Sequence, residues 1–128
     1  MSHIYYISPV GADTEYGAKR DVLNEISNEL GVEWFFPLDR YTSFDIPTAL
    51  EDLRAAALVL VDLSLERPSC YFELGLAQAL GVPLSLIAKE GTVLHQAGET
   101  DSIVTYQDLR SYRIAVKHCL VKRNQSAI

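Results

Sequence analysis

The chain is poor in the residues that mark most specialised scaffolds. It has two cysteines, Cys70 and Cys119, in 128 residues, too few for a disulfide framework. It has three histidines. His95 and His118 have no Cys, His or acidic residue at metal-ligand spacing and His3 lies at the terminus, which argues against zinc. No apolar run approaches the roughly 20 residues that span a bilayer. Met1–Tyr6 lacks the basic-then-apolar pattern of a signal peptide, so a cytoplasmic protein without membrane partners is expected. Basic residues are outnumbered, 11 against 17 acidic, for a net charge of -6 and a pI near 4.9. That balance argues against nucleic-acid polymers but not against a small anion, because a few local donors outweigh the global charge. Neither a Walker-type loop nor Gly-x-Gly-x-x-Gly is present.

What remains is a chain with 48% hydrophobic and 22% charged residues, the composition of a globular protein and the length of one domain, 1–128. Strand and helix patterns alternate. His3–Ser8, Val32–Phe36, Ala57–Leu63, Pro83–Ala88 and Ser102–Thr105 read as strands. Gly17–Leu30, with Val22, Leu23, Ile26 and Leu30 on one face, reads as a helix stopped by Gly31. Ile46–Ala55, Cys70–Leu80 and Gln107–Lys122 read likewise, the last with Leu109, Ile114, Val116 and Leu120 as its apolar set. Pro9–Tyr16 and Ser64–Ser69 read as loops, and Lys89–Asp101 as polar and poorly patterned. This order implies βαβ units and an α/β fold: a flavodoxin- or Rossmann-like three-layer sandwich around a mostly parallel five-stranded sheet. With strand order 2-1-3-4-5, the ligand crevice lies at the carboxyl ends of strands one and three. Those ends are Ser8–Pro9 and Asp62–Ser69.

The second of these holds the densest polar segment beside a buried strand, Asp62-Leu-Ser-Leu-Glu-Arg-Pro-Ser-Cys-Tyr-Phe-Glu-Leu-Gly75. Ser69 is placed to cap the following helix, which puts Glu73 in or just beyond the first turn. An acid there is favoured by the helix dipole alone. The same field would keep Glu73 ionised toward the crevice, where a carboxylate can attack an anomeric carbon or stabilise an oxocarbenium ion. Lys19 and Arg20, at the start of the first helix, read as solvated charges, with Arg20 able to reach the crevice. Ser8 and Ser64 either finish a strand and a turn or donate to a ligand. Cys70 reads as a small buried thiol. Tyr71 reads as a packing residue, and Tyr6, facing opposite to Tyr5, as core.

The run Asp62-x-Ser64-x-x-x-Pro68-Ser69-x-x-x-Glu73-Leu74-Gly75-x-Ala77-x-Ala79-Leu80-Gly81 resembles the nucleoside 2-deoxyribosyltransferase-like superfamily, closest to its branch overlapping TIR-like nucleotide-binding domains. Ile4-Tyr5-x-x-x-Pro9 is similar to the family's first strand. The resemblance runs through about the first 90 residues. It implies cleavage of an N-glycosidic bond by hydrolysis or transfer, with Glu73 as the nucleophile on C1′, Tyr5 as its hydrogen-bond partner and Asp62 as an acid that contacts substrate or supports the loop. It also implies a homo-oligomer and no cofactor.

Two family aspartates have no counterpart. One position falls near Ala49, beside Glu51 and Asp52, and the other on Arg67. Arg67 suits a phosphate as a bidentate donor, which favours a nucleotide over a nucleoside. Arg20, Ser8, Ser64 and Ser69 are the other candidate substrate contacts. A TIR-like NAD-cleaving domain and a nucleotide sensor that binds without cutting are the alternatives.

Overall fold

The computed structural model describes residues 3–40, 45–94 and 102–126. Its elements are β1 (Ile4–Ile7), α1 (Tyr16–Leu30), β2 (Trp34–Phe35), α2 (Pro37–Arg40), α3 (Ile46–Ala55), β3 (Leu58–Asp62), a 3-10 turn (Ser64–Glu66), α4 (Pro68–Leu80), β4 (Leu84–Lys89), β5 (Ile103–Tyr106) and α5 (Leu109–Ser126). The five strands form one sheet in the order β2-β1-β3-β4-β5, and every pair is parallel. The α/β sandwich and the strand order match the sequence expectation. β1 is the first strand laid down, the chain turns one way to β2 and the other way to β3, and the switch point falls between β1 and β3.

Strand alternation divides the core in two. Ile4, Tyr6, Leu58 and Leu60 pack with Val22, Leu23 and Ile26 of α1 and with Tyr112, Val116 and Leu120 of α5. Tyr5, Ile7, Val59 and Val61 pack with Leu53 of α3 and with Cys70, Leu74 and Ala77 of α4. Residues adjacent along one strand therefore serve opposite layers. Tyr6 is core, as expected, with its hydroxyl 2.6 Å from that of Tyr112.

Several local expectations are corrected. β2 shrinks to two residues, and a helical turn, Pro37–Arg40, follows it. Leu30 and Ile114 are exposed, and Tyr112, Ala115 and Cys119 fill the α5 face in place of Ile114. Ser69 is not the helix cap: α4 begins at Pro68, two residues before the expected start at Cys70, and the cap position is Arg67, in extended conformation without a side-chain cap bond. Proline explains the shift, since its fixed φ and missing N–H suit the first helical position. Gly31 and Gly81 end α1 and α4 at φ 70° and 68°, where a side chain would be strained.

The 3-10 turn is the one strained backbone segment among the described residues. Leu65 (φ 69°) and Glu66 (φ 46°) are both left-handed without being glycine. The turn is held by Ser64 N donating to Asp62 Oδ1 at 3.0 Å and by the Tyr71 hydroxyl donating to Glu66 Oε1 at 2.7 Å. Leu65 is 54% exposed, so little packing offsets its strain. Leu65→Gly is therefore expected to raise stability by about 1 kcal/mol. A urea midpoint unchanged or lowered would show that Leu65 carries no relievable strain.

Candidate active site

The β1–α1 loop and the start of α4 enclose a cavity of about 270 Å³, lined by Pro9, Val10, Gly11, Ala12, Arg67 and Ser69. It opens at the carboxyl ends of β1 and β3, the crevice expected from topology. Arg67 and Ser69 are exposed on its wall. Glu73 follows Ser69 by four residues, so it lies one helical turn farther along the same face of α4.

Glu73 is mostly buried, on the sheet face that carries Tyr5. The Tyr5 hydroxyl donates to Glu73 Oε2 at 3.1 Å. Tyr5 is itself fully buried and stacks on Phe35, which stacks on His3. Its phenol is held well above the ordinary range by burial and then by the Glu73 charge, so it remains a donor at every working pH. Burial pushes Glu73 up from 4.5 to about 6, and the Tyr5 hydrogen bond works against that rise. This corrects the dipole reading. Glu73 stands in the second turn of a helix that begins at Pro68, past the reach of the dipole, and burial dominates. At pH 7 and above the carboxylate is still mostly ionised and close to a tyrosine hydroxyl; it stands one helical turn from the cavity and is not among the residues lining it. Cys70, nearby, is buried with its thiol pushed up to about 11, chiefly by burial, which makes it inert at neutral pH.

Asp62 belongs to the other side of the sheet. It is fully buried, in step with Leu58 and Leu60. Its Oδ2 accepts from Tyr106 at 2.7 Å and from Lys19 at 3.3 Å, and its Oδ1 accepts from Ser64 N. These partners belong to β5, α1 and the turn after β3, on the side of the sheet opposite Tyr5 and Glu73. Ser64 is buried too: its Oγ accepts from Lys89 N at 2.8 Å and lies 2.9 Å from the Tyr106 hydroxyl. Lys19, read as a solvated charge, is 2% exposed. It donates to Asp13 at 2.5 Å, to Asp62 and to Tyr106 at 2.7 Å. Burial works to lower its pKa, but the Asp62 charge and the bonds to Asp13 and Tyr106 outweigh that and hold it above the ordinary value. Sequence patterning had no means of pairing these groups, which come from α1, β3, β5 and a loop.

Arg20 turns toward the β2 edge. Its guanidinium bonds Asp39 Oδ2 at 3.0 Å and the Tyr16 hydroxyl at 3.1 Å, and sits 3.6 Å from the Phe36 ring centroid. Its Nε and Ser8 Oγ are buried without hydrogen-bond partners among the described residues, and neither residue is among those lining the cavity. Of the polar segment Lys89–Asp101, His95 and the rest of 95–101 lie outside the described residues.

No protein-family model and no curated protein matches the sequence. Solved structures match it in shape. A 2-deoxyribosyltransferase from Leishmania mexicana superimposes with a TM-score of 0.62 at 19% identity, over 92% of this chain and 96% of that one. A 2-deoxyribosyltransferase from the psychrotolerant bacterium Bacillus psychrosaccharolyticus gives 0.62 at 20%, over 88% and 90%. A CMP N-glycosidase from Clostridium botulinum gives 0.59 at 15%, over 88% and 98%. The chain thus has the nucleoside 2-deoxyribosyltransferase-like fold. No helix among the described residues is long and apolar enough to cross a membrane.

Proposed function

We propose that this protein cleaves the N-glycosidic bond of a nucleotide, with Glu73 as nucleophile. The observation that carries this is the Tyr5–Glu73 pair: a mostly buried carboxylate, accepting a tyrosine hydrogen bond, one helical turn from a polar cavity at the switch point of the sheet. In the first step a Glu73 oxygen bonds to C1′ and the C–N bond breaks. Its electron pair leaves with the base, which takes a proton from solvent water, and the later attack by water on C1′ returns one. Attack by water on C1′ then releases the sugar and restores the carboxylate, and attack by a second base gives transfer instead. Charge builds up positively on the sugar in each transition state, and a fixed carboxylate in a low-dielectric setting stabilises it. The Tyr5 hydroxyl orients Glu73. Asp62 orders the loop, and Arg67 with Ser69 faces the anionic end of the substrate. That two of the solved neighbours are named as 2-deoxyribosyltransferases and one as a CMP N-glycosidase supports the reaction class.

The test is a panel of nucleosides, nucleoside 5′-phosphates and NAD, read by chromatography for released base. Release from the 5′-phosphates is expected, and Arg67→Ala is expected to raise their KM by about tenfold, the scale of one lost charge-assisted contact, without affecting nucleosides. Release from NAD alone would assign the TIR-like chemistry. Binding without release, equal in wild type and Glu73→Gln, would assign a sensor. Self-association belongs to the same proposal. It is supported by the outer face of α4, where Gly75 and Ala79 are exposed and Leu76 is partly so. A monomeric elution profile would remove it.

A further inference from the structure

We infer that Lys19, Asp13, Asp62, Ser64 and Tyr106 form a buried cross-tie that holds the two walls of the cavity in register, so that this cluster positions the substrate without touching it. The inference rests on the proposed site for its consequence, but its geometry is independent of the reaction. One wall is the β1–α1 loop, which supplies Pro9–Ala12 to the cavity and continues into Asp13. The other is the β3–α4 loop, which starts at Asp62 and supplies Arg67 and Ser69. They meet through a single ammonium. Lys19 gives one N–H to Asp13 of the first wall, one to Asp62 of the second and one to Tyr106 at the end of β5.

The cluster is saturated. Lys19 spends its three donors. The Tyr106 O–H goes to Asp62 Oδ2, which leaves the Tyr106 oxygen to accept from Lys19 and from the Ser64 hydroxyl. The Ser64 oxygen in turn accepts from the Lys89 amide, and Asp62 Oδ1 accepts from the Ser64 amide. Each proton has one acceptor, so no alternative arrangement keeps every group paired. The Lys19 ammonium also lies 5.0 Å and 5.5 Å from the Tyr106 and Tyr112 ring centroids. Two carboxylates and one ammonium, buried together, contribute little net stability relative to apolar packing. What they supply is direction: Asp13 and Asp62 cannot move apart without one of them losing its charge partner. The strained turn at Leu65–Glu66 follows directly on Ser64, so the cluster also sets where Arg67 emerges.

A tie of this kind has a signature that local packing lacks: loosening one wall loosens the other. Asp13→Asn keeps the side-chain shape and removes the charge from the first wall. It is expected to speed amide exchange in residues 62–67 by about tenfold relative to the α5 amides. Ser64→Ala, altered in the second wall, is expected to do the same to residues 9–15. In steady-state kinetics Tyr106→Phe is expected to raise the nucleotide KM about tenfold, with kcat within about threefold of wild type. Simple destabilisation would lower the active fraction, and hence apparent kcat, and leave KM alone. Exchange confined to the altered wall in both variants would overturn the cross-tie. KM unchanged in Tyr106→Phe, with exchange coupled as expected, would overturn its role in positioning substrate. If wild type releases no base, the proposed reaction fails and the exchange experiment still decides the cross-tie.

Discussion

Glu73→Gln is expected to lower base release by at least about 10³-fold, a loss of roughly 4 kcal/mol of transition-state stabilisation, while nucleotide binding persists. The amide keeps the size of the side chain and can still accept from Tyr5, but it has no anionic oxygen to bond C1′ or balance the sugar cation. The pH profile of the wild type follows from the same group. Burial holds Glu73 near 6, and the reactive form is the carboxylate. Thus kcat/KM is expected to be flat above about pH 7 and to fall tenfold per unit well below 6. An inflection near the ordinary carboxylate value of 4.5 would mean that another acid is being read.

The same substitution should stabilise the fold. A carboxyl raised from 4.5 to about 6 is charged at a penalty of about 2 kcal/mol. The penalty is present in full above the folded value and vanishes below the unfolded one. Glu73→Gln is accordingly expected to unfold at higher denaturant than wild type at pH 7.5 and at nearly the same denaturant at pH 4. A variant that is inactive and less stable at pH 7.5 would indicate a structural carboxylate. An inactive and more stable one fits a reactive group held at a cost to the fold.

Lys19→Met carries the largest expected effect on stability, a loss of about 3–5 kcal/mol. Methionine fills much the same volume, so the loss arises from charge: Asp62 stays fully buried without its cation, and Asp13 loses the same partner. For a chain of this size that loss is expected to lower Tm by about 10–20 °C. The double variant Lys19→Met, Asp62→Asn is expected to recover more than half of it, because the amide removes the unpaired charge, its oxygen still accepts the Ser64 N–H, and its NH2 donates to the Tyr106 oxygen that Lys19 has vacated. Additive losses in the double variant would show that Lys19 acts through its packing on Tyr106 and Tyr112 and not through the ion pair.

The contrast between Glu73 and Lys19 shows what can be read along a chain of this kind. Glu73 is conspicuous in sequence because it is an acid on an otherwise apolar helix, five residues beyond a proline that starts that helix. Asp62 is conspicuous as the last residue of an apolar strand. Lys19 reads as solvated from its charge, yet it stands three, four and seven residues before Val22, Leu23 and Ile26, on the apolar face of α1. That spacing was a usable mark of burial, but it does not say which partners the ammonium meets. Folding brings α1 over the ends of β3 and β5, and only there do Asp62 and Tyr106 surround the ammonium. Arg20, one position on, rotates by a third of a turn to Asp39 and Phe36. Ser69 was misread as a cap for a smaller reason: Pro68 accepts the first helical position more readily than the preference for a capping hydroxyl resists it.

Alternation of short apolar strands with amphipathic helices was enough to determine the α/β layers, the strand order and the crevice between β1 and β3, because parallel pairing and short crossovers leave few topologies open. Glu73 and Tyr5 were singled out by the Glu-Leu-Gly and first-strand motifs of the resemblance, and folding brings the Tyr5 hydroxyl to 3.1 Å from Glu73 Oε2. Which side of the sheet each carboxylate occupies was a tertiary matter. The pleat sends Asp62 to the α1–α5 layer and leaves Glu73 with Tyr5 on the other side. Burial sets the pKa of Glu73, and contacts between segments remote in sequence determine which partners lock a buried charge. No local pattern encodes either.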